Sequence, residues 1–286
     1  MLENNNIVNE IFSDVADICG QAKLLIEQEK YSEAIEVLKV KIKQVKKVKT
    51  YGLEEYYTFD ELFQFDMFIH FYAGFNTSSK KNKNRSKIKP NIIWRTEPVT
   101  YLYYYCGYAL VETGDLEQAW NTFKKGLEWN PCALDLRFEM VNILRNQGDV
   151  EKLHSEAKTA YNYIFRPKHL ARFYRDKGYA FIEEKKWEAA IASYFLSLTY
   201  AVDEDDENRA NGELGYIEET TGREILEPSD EELLQIARNY KIPIGIDARL
   251  LKLAQERCEQ CVNNNDMDSA EYYHDIYKAF VVDEEA

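Results

Sequence analysis

The sequence predicts an all-α fold of antiparallel helix hairpins, and three observations carry that expectation. Gly114-Asp115-Leu116-Glu117-Gln118-Ala119 returns as Gly148-Asp149-Val150-Glu151-Lys152-Leu153, a shift of 34 residues. That is the period of a helix-turn-helix unit that stacks into a solenoid. Helix breakers are scarce, 12 Gly and 6 Pro in 286 residues, while aromatic residues reach 14%. Few breakers with many bulky side chains favour a packed, helix-rich chain. Finally, apolar residues recur at helical spacing along most of the length, and strand-like alternation is not evident.

Taken in order, residues 1–50 are expected to form a first hairpin, with Tyr31-x2-Ala34-Ile35-x2-Leu38 on its second helix. Residues 51–98 depart from the period. Thr58-x2-Glu61 reads as a capping box opening a helix crowded with Phe59, Leu62, Phe63, Met67, Phe68, Phe71 and Phe75. The stretch from Asn76 to Asn91, with Lys80, Lys81, Lys83, Arg85, Lys87 and Lys89, reads as a mobile basic loop.

Three units are expected over residues 99–200. The best reads Tyr103-x2-Cys106-Gly107-x2-Leu110, Ala119-x3-Phe123, Pro131. Gly107 and Ala119 are small where two helices must approach closely, and Tyr103, Leu110 and Phe123 fill the space between helices. Pro131 is expected to stop the second helix, because it cannot continue the hydrogen-bond ladder. The next unit has Met140-Val141-x2-Leu144, Leu153-x3-Ala157 and a late Pro167, with Arg137 where an aromatic residue is expected. The third has Tyr174-x3-Gly178-x2-Phe181, Trp187-x2-Ala190-Ile191 and Tyr194. Residues 201–286 then give a helical spacer and a last hairpin. Asp203-Glu204-Asp205-Asp206-Glu207 reads as a solvated loop, with helices near 209–219, from a Ser229-x2-Glu232 cap to about Tyr240, over about 248–262, and after Met267-x2-Ala270.

These spacings resemble the tetratricopeptide repeat (TPR), whose pattern is W-x2-L-G-x2-Y, A-x3-F and a closing Pro. The resemblance, to a bacterial-type TPR protein, is strongest over 100–200 and covers roughly two-thirds of the chain. It implies a superhelical solenoid whose first helices line a concave groove. On that placement Tyr101, Tyr104, Tyr105 and Tyr108 share one helix face, at i, i+3, i+4 and i+7. Tyr103, Gly107 and Leu110 occupy another face. Equivalent positions in the next units are Asp135, Phe138, Asn142 and Arg145, then Arg172, Arg175 and Tyr179. Tyrosines joined by arginines and an asparagine suit a peptide with aromatic or carboxylate groups. The chaperone-tail clamp of some TPR proteins needs Lys, Asn, Asn, Lys and Arg; Tyr104, Tyr108, Glu139, Arg172 and Asp176 stand there instead. The alternative for the tyrosine row is a second core, covered by the aromatic helix 59–75.

Charge is unevenly spread. Net charge is −14, yet residues 39–95 hold 13 Lys/Arg against 5 Asp/Glu. The acidic remainder argues against wrapping nucleic acid along the whole chain. The basic segment 39–95 leaves a local nucleic-acid or acidic-partner interface as an alternative. Cys258-x2-Cys261 lacks the second Cys pair or His pair of a zinc site and falls at packing positions. A thiol enzyme built on it is the third reading. His70, His154, His169 and His274 are scattered, no phosphate-binding or nucleophile-elbow motif occurs, and Asn76-Thr77-Ser78 matters only in a secreted chain. Without a signal-like N-terminus or an 18-residue apolar run, the expectation is a cytoplasmic, cofactor-free protein- or peptide-binding adaptor without catalytic activity or a membrane partner.

Overall fold

The computed structural model describes residues 2–73 and 91–281. The expected mobile loop falls almost wholly outside the described residues, as do Phe75 and Asn76-Thr77-Ser78. The chain is mostly helical and divides into two compact units between Ile143 and Leu144, within a helix.

The first unit holds α1 (Leu2–Phe12), α2 (Val15–Glu27), α3 (Tyr31–Lys46), α5 (Val99–Glu112), α6 (Leu116–Gly126) and most of α7 (Leu134–Gln147). Between α3 and α5 lie strands β1 (Thr50–Tyr51), β2 (Glu54–Thr58) and β3 (Asn91–Arg95), the short helix α4 (Leu62–Met67) and a π-helical turn, Phe68–Ala73. The second unit holds α8 (Val150–Tyr161), α9 (Pro167–Glu183), α10 (Trp187–Thr199), α11 (Glu204–Thr221), α12 (Asp230–Tyr240), α13 (Ala248–Asn263) and α14 (Met267–Lys278).

One turn recurs in five hairpins. Glu29, Gly114, Gly148, Lys185 and Asn265 each take a left-handed conformation, φ from 57° to 81°. In each the following amide reaches back five residues, as Asp115 N–H does to the Leu110 carbonyl (2.9 Å) and Lys186 N–H to Phe181 (2.9 Å). The turn residue's own amide reaches back three, Gly114 to Val111 at 2.9 Å. This Schellman arrangement satisfies the last carbonyls of the first helix. The next residue then caps the second helix: Asp115, Asp149 and Asp266 accept from the amides of Gln118, Lys152 and Ser269. Five residues past each turn, Ala34, Ala119, Leu153, Ala190 and Ala270 are buried.

Within two of these hairpins a glycine admits a ring. A methyl built on Gly107 would run into the Phe123 ring, and one on Gly178 would lie 2.7 Å from Tyr194. The expected partner of Gly107 was Ala119; the geometry corrects this to Phe123. Gly126 does the same between helices, where a methyl would meet Leu136 of α7 at 2.6 Å and Tyr103 of α5 at 2.8 Å.

Residues 51–98 differ most from expectation. The structure has a three-stranded sheet in the order β1-β2-β3. A tight turn at Gly52 (φ 63°) joins antiparallel β1 and β2, and β3 runs parallel to β2, Glu54 opposite Asn91 and Thr58 opposite Arg95. Thr58 caps no helix. Its amide donates to the Trp129 carbonyl (3.1 Å) and its hydroxyl pairs with that of Thr100 (3.0 Å). The first helix after it starts only at Leu62, with no side-chain cap. Phe59, Phe65 and Phe68 pack their rings on Tyr57 and Trp94, at centroid distances of 4.5 to 6.2 Å. Aromatic and β-branched residues favour such half-buried strands.

Three smaller expectations are corrected too. The acidic run opens α11, with Asp203 capping the Asp206 amide, where carboxylates meet the positive end of the helix dipole. Pro167 begins α9 at its first turn, a place its fixed φ suits. The second helix of the best unit ends at Gly126, before Pro131. The Ser229–Glu232 capping box at α12 is present as expected.

Candidate functional site

Helix α5 buries Leu102, Tyr103, Cys106, Gly107, Ala109 and Leu110. Tyr103 is locked there by the Trp129 indole, which donates to its hydroxyl at 3.1 Å. Tyr101, Tyr104, Tyr105 and Tyr108 are half-buried. The first three form a ring cluster, with centroids 6.2 Å apart for Tyr101–Tyr104, 5.9 Å for Tyr101–Tyr105 and 5.5 Å for Tyr104–Tyr105, and pack against the core of the first unit. The row is therefore neither a second core nor fully open.

Burial raises the phenol pKa of Tyr101 to about 12 and shifts Tyr105 and Tyr108 upward as well. After burial, nearby carboxylates add to these shifts: Asp60 and Asp135 at Tyr101, Glu27 at Tyr105, and Glu112 and Glu139 at Tyr108. Neither α5 nor the exposed part of α7 up to Ile143 adds a cation; Arg137 of α7 is buried and donates to the Pro131 carbonyl at 3.1 Å.

Other expected groove residues are used elsewhere. Phe138 is buried in the core, 1% exposed, and offers no ring to a groove. Asn142 is half-buried and donates to Glu139 at 3.2 Å. In the second unit, Arg175 pairs with Asp206 at 2.8 Å and donates to Ser197. Arg145 pairs with Asp176 (3.5 Å) and Glu213 (3.7 Å), and its guanidinium lies 4.1 Å from the Tyr179 ring centroid. Tyr179 in turn donates to the Arg145 carbonyl at 3.4 Å. Asp176 is buried, which pushes its carboxyl pKa up, and Arg172, Arg145 and Arg175 act against that push. These arginines are thus an internal ion network tied to α11. The sequence missed it because Asp206 and Glu213 lie far downstream of their partners, Asp206 in a run that read as a solvated loop.

Several titratable groups stand outside that network. Lys49 lies 3.2 Å from the Tyr57 ring centroid and donates to the Tyr56 carbonyl, and burial lowers its pKa to about 7. Lys177 approaches His154 Nδ1 at 2.7 Å while His154 Nε2 faces Glu184 at 3.3 Å. Burial and the Lys177 charge lower the His154 pKa. Buried Asn130 donates to Asp60 and Gln64 and accepts from the Cys132 amide, tying the insertion to the α6–α7 loop. Of the basic segment 39–95, Lys41 is buried against Asp14, and Arg95 pairs with Glu97.

Cys258 and Cys261 are partly buried and not joined in a disulfide, and burial pushes Cys19, Cys106 and Cys132 to between about 11 and about 12. Among the described residues no group of three His, Cys, Asp or Glu side chains is placed to hold a metal, and no helix is long and apolar enough to cross a membrane. A cleft of about 480 Å³ in the second unit is walled by Trp187, Ile191, Ile217, Ile225 and Ile236, with Glu188, Arg223 and Glu224 of mixed sign on it. Compared with known proteins, the chain matches no family model, no curated protein and no solved structure.

Proposed function

We propose that the chain is a TPR-like, non-catalytic scaffold of the cytoplasm that binds a protein or peptide, with the tyrosine row of α5 as its contact face. The observation that carries the reading is the division of α5. One side is sealed into the core, while the four tyrosines on the other are each only half-buried. Tyrosine is an effective anchor because a ring buries a large area while few rotatable bonds are frozen. The recurrent hairpin turn and the glycine–ring fits at Gly107 and Gly178 support the TPR-like part. The perturbed groups Lys49 and His154 each have a partner within the fold, which favours structural roles over catalysis.

The test is the double variant Tyr104→Ala/Tyr108→Ala. Capture of partners by the immobilised chain should fall by the equivalent of about 2 kcal/mol or more, with little change in melting temperature. A steep fall in melting temperature, on the scale of about 3–5 kcal/mol per lost core ring, would instead make the row part of the core.

A further inference from the structure

We propose that the occupant of the tyrosine row is a cationic peptide segment, bearing lysine or arginine side chains that lie over the rings and end among carboxylates. The proposal rests on the reading of the row as a contact face and gives that face its ligand chemistry. The first observation is composition by position. Helix α5 carries no Lys or Arg, and its one charge is exposed Glu112. Neighbouring α7 carries exposed Asp135 and, one turn on, half-buried Glu139; its Arg137 is turned inward to the Pro131 carbonyl.

The second observation is adjacency. The backbone of Gly126 lies between Leu136 of α7 and Tyr103 of α5, so α7, with Asp135 next to Leu136, packs on the same hairpin as the tyrosine helix. Asp135, Glu139 and Glu112, with Asp60 and Glu27, are carboxylates whose charges act on the tyrosine hydroxyls, Glu27 being paired with Lys23 at 3.9 Å.

Aromatic faces attract cations, most strongly where the cation is partly desolvated, and Arg gains further from paired carboxylates. Two of the arginines that were expected to make this groove receptive to carboxylates, Arg145 and Arg175, are paired within the second unit with Asp176, Glu213 and Asp206. Charge complementarity therefore reverses the ligand expected from sequence. The protein already shows the pairing internally: Lys49 sits over Tyr57 with Glu55 at 3.9 Å.

The test selects a phage library of random short peptides on the full-length chain. It then measures the winners by fluorescence anisotropy against the parent, Tyr104→Ala/Tyr108→Ala, and Glu112→Gln/Asp135→Asn. The expected winners are rich in Lys or Arg. They should bind the charge variant and the tyrosine variant each at least about tenfold more weakly, and weaken as salt is raised. Neutral or acidic winners that still need the tyrosines would overturn the cationic ligand and leave the contact face standing. So would cationic winners indifferent to the charge variant. Winners indifferent to the tyrosine variant, or no enrichment at all, would overturn both. A parent dimer that the tyrosine variant converts to monomer would make a second copy the occupant and also overturn the proposal.

Discussion

At the scale of single residues, the glycines show how a missing side chain fixes a helix pair. Gly107 and Gly178 sit against the rings of Phe123 and Tyr194, both fully buried, and a close-packed interior has no room to move either ring aside. Gly107→Leu should overpack α5 against α6 and cost about 1–3 kcal/mol or more. Chemical denaturation measures this directly, and a variant as stable as the parent would show that the Phe123 ring yields. The small residue was legible in the sequence as a close helix–helix contact, but its partner was not: the spacing pointed to Ala119, and the ring of Phe123 takes the place. The fate of the arginines was not legible either. Arg145 and Arg175 looked available on a helix face, but whether a guanidinium faces solvent or a carboxylate depends on what packs over it. Here α11 does, carrying Asp206 and Glu213.

At the scale of elements, the hairpins were readable and the sheet was not. Gly114-Asp115 and Gly148-Asp149 announce a left-handed turn followed by a helix cap, and both are present. Glu29 and Lys185 make the same turn without glycine, which only the backbone reveals. That difference gives a prediction of opposite signs. An L side chain in the left-handed region costs about 1–2 kcal/mol, so Lys185→Gly should stabilise by up to about 1 kcal/mol and Gly114→Ala should destabilise by a similar amount. Thermal melts of the two variants check it, and shifts in the same direction would mean that the turns are not equivalent. The sheet escaped notice for two physical reasons. Glu54-Glu55-Tyr56-Tyr57-Thr58 does not alternate polar and apolar, and its parallel partner Asn91–Arg95 is distant in sequence, so neither strand carries its pairing in its own pattern. Thr58 illustrates the ambiguity: the residue type that caps helices here fastens a strand to α5 through Thr100.

At the scale of the whole molecule, the response to acid follows from which groups hold fewer protons when folded. Hydrogen bonds hold the carboxyls of Asp149, Asp203, Glu232 and Asp247 below their ordinary range, the leading partners being Lys152, the Asp206 amide, Ser229 and Arg249. Their stabilisation is present above the unfolded carboxylate pKa and is lost as pH falls through the folded values. Buried Asp176, raised instead, opposes that trend. His154 acts earlier. Burial, with the Lys177 charge on Nδ1, depresses its pKa below 6.5. Between that lowered value and 6.5 the unfolded chain binds the proton more readily, so stability falls as the solution is acidified through this window. Neutral His154 accepts from Lys177 and donates to Glu184, and a glutamine can make both bonds through its carbonyl and amide. His154→Gln should therefore melt close to the parent near about pH 7.5 and lose less stability than the parent on going to about pH 5. Measuring both melting curves in one buffer series cancels the carboxylate contribution common to the two proteins. Parallel loss in parent and variant would show that His154 takes up its proton without cost, and that the acid sensitivity of the fold lies wholly in its carboxylates.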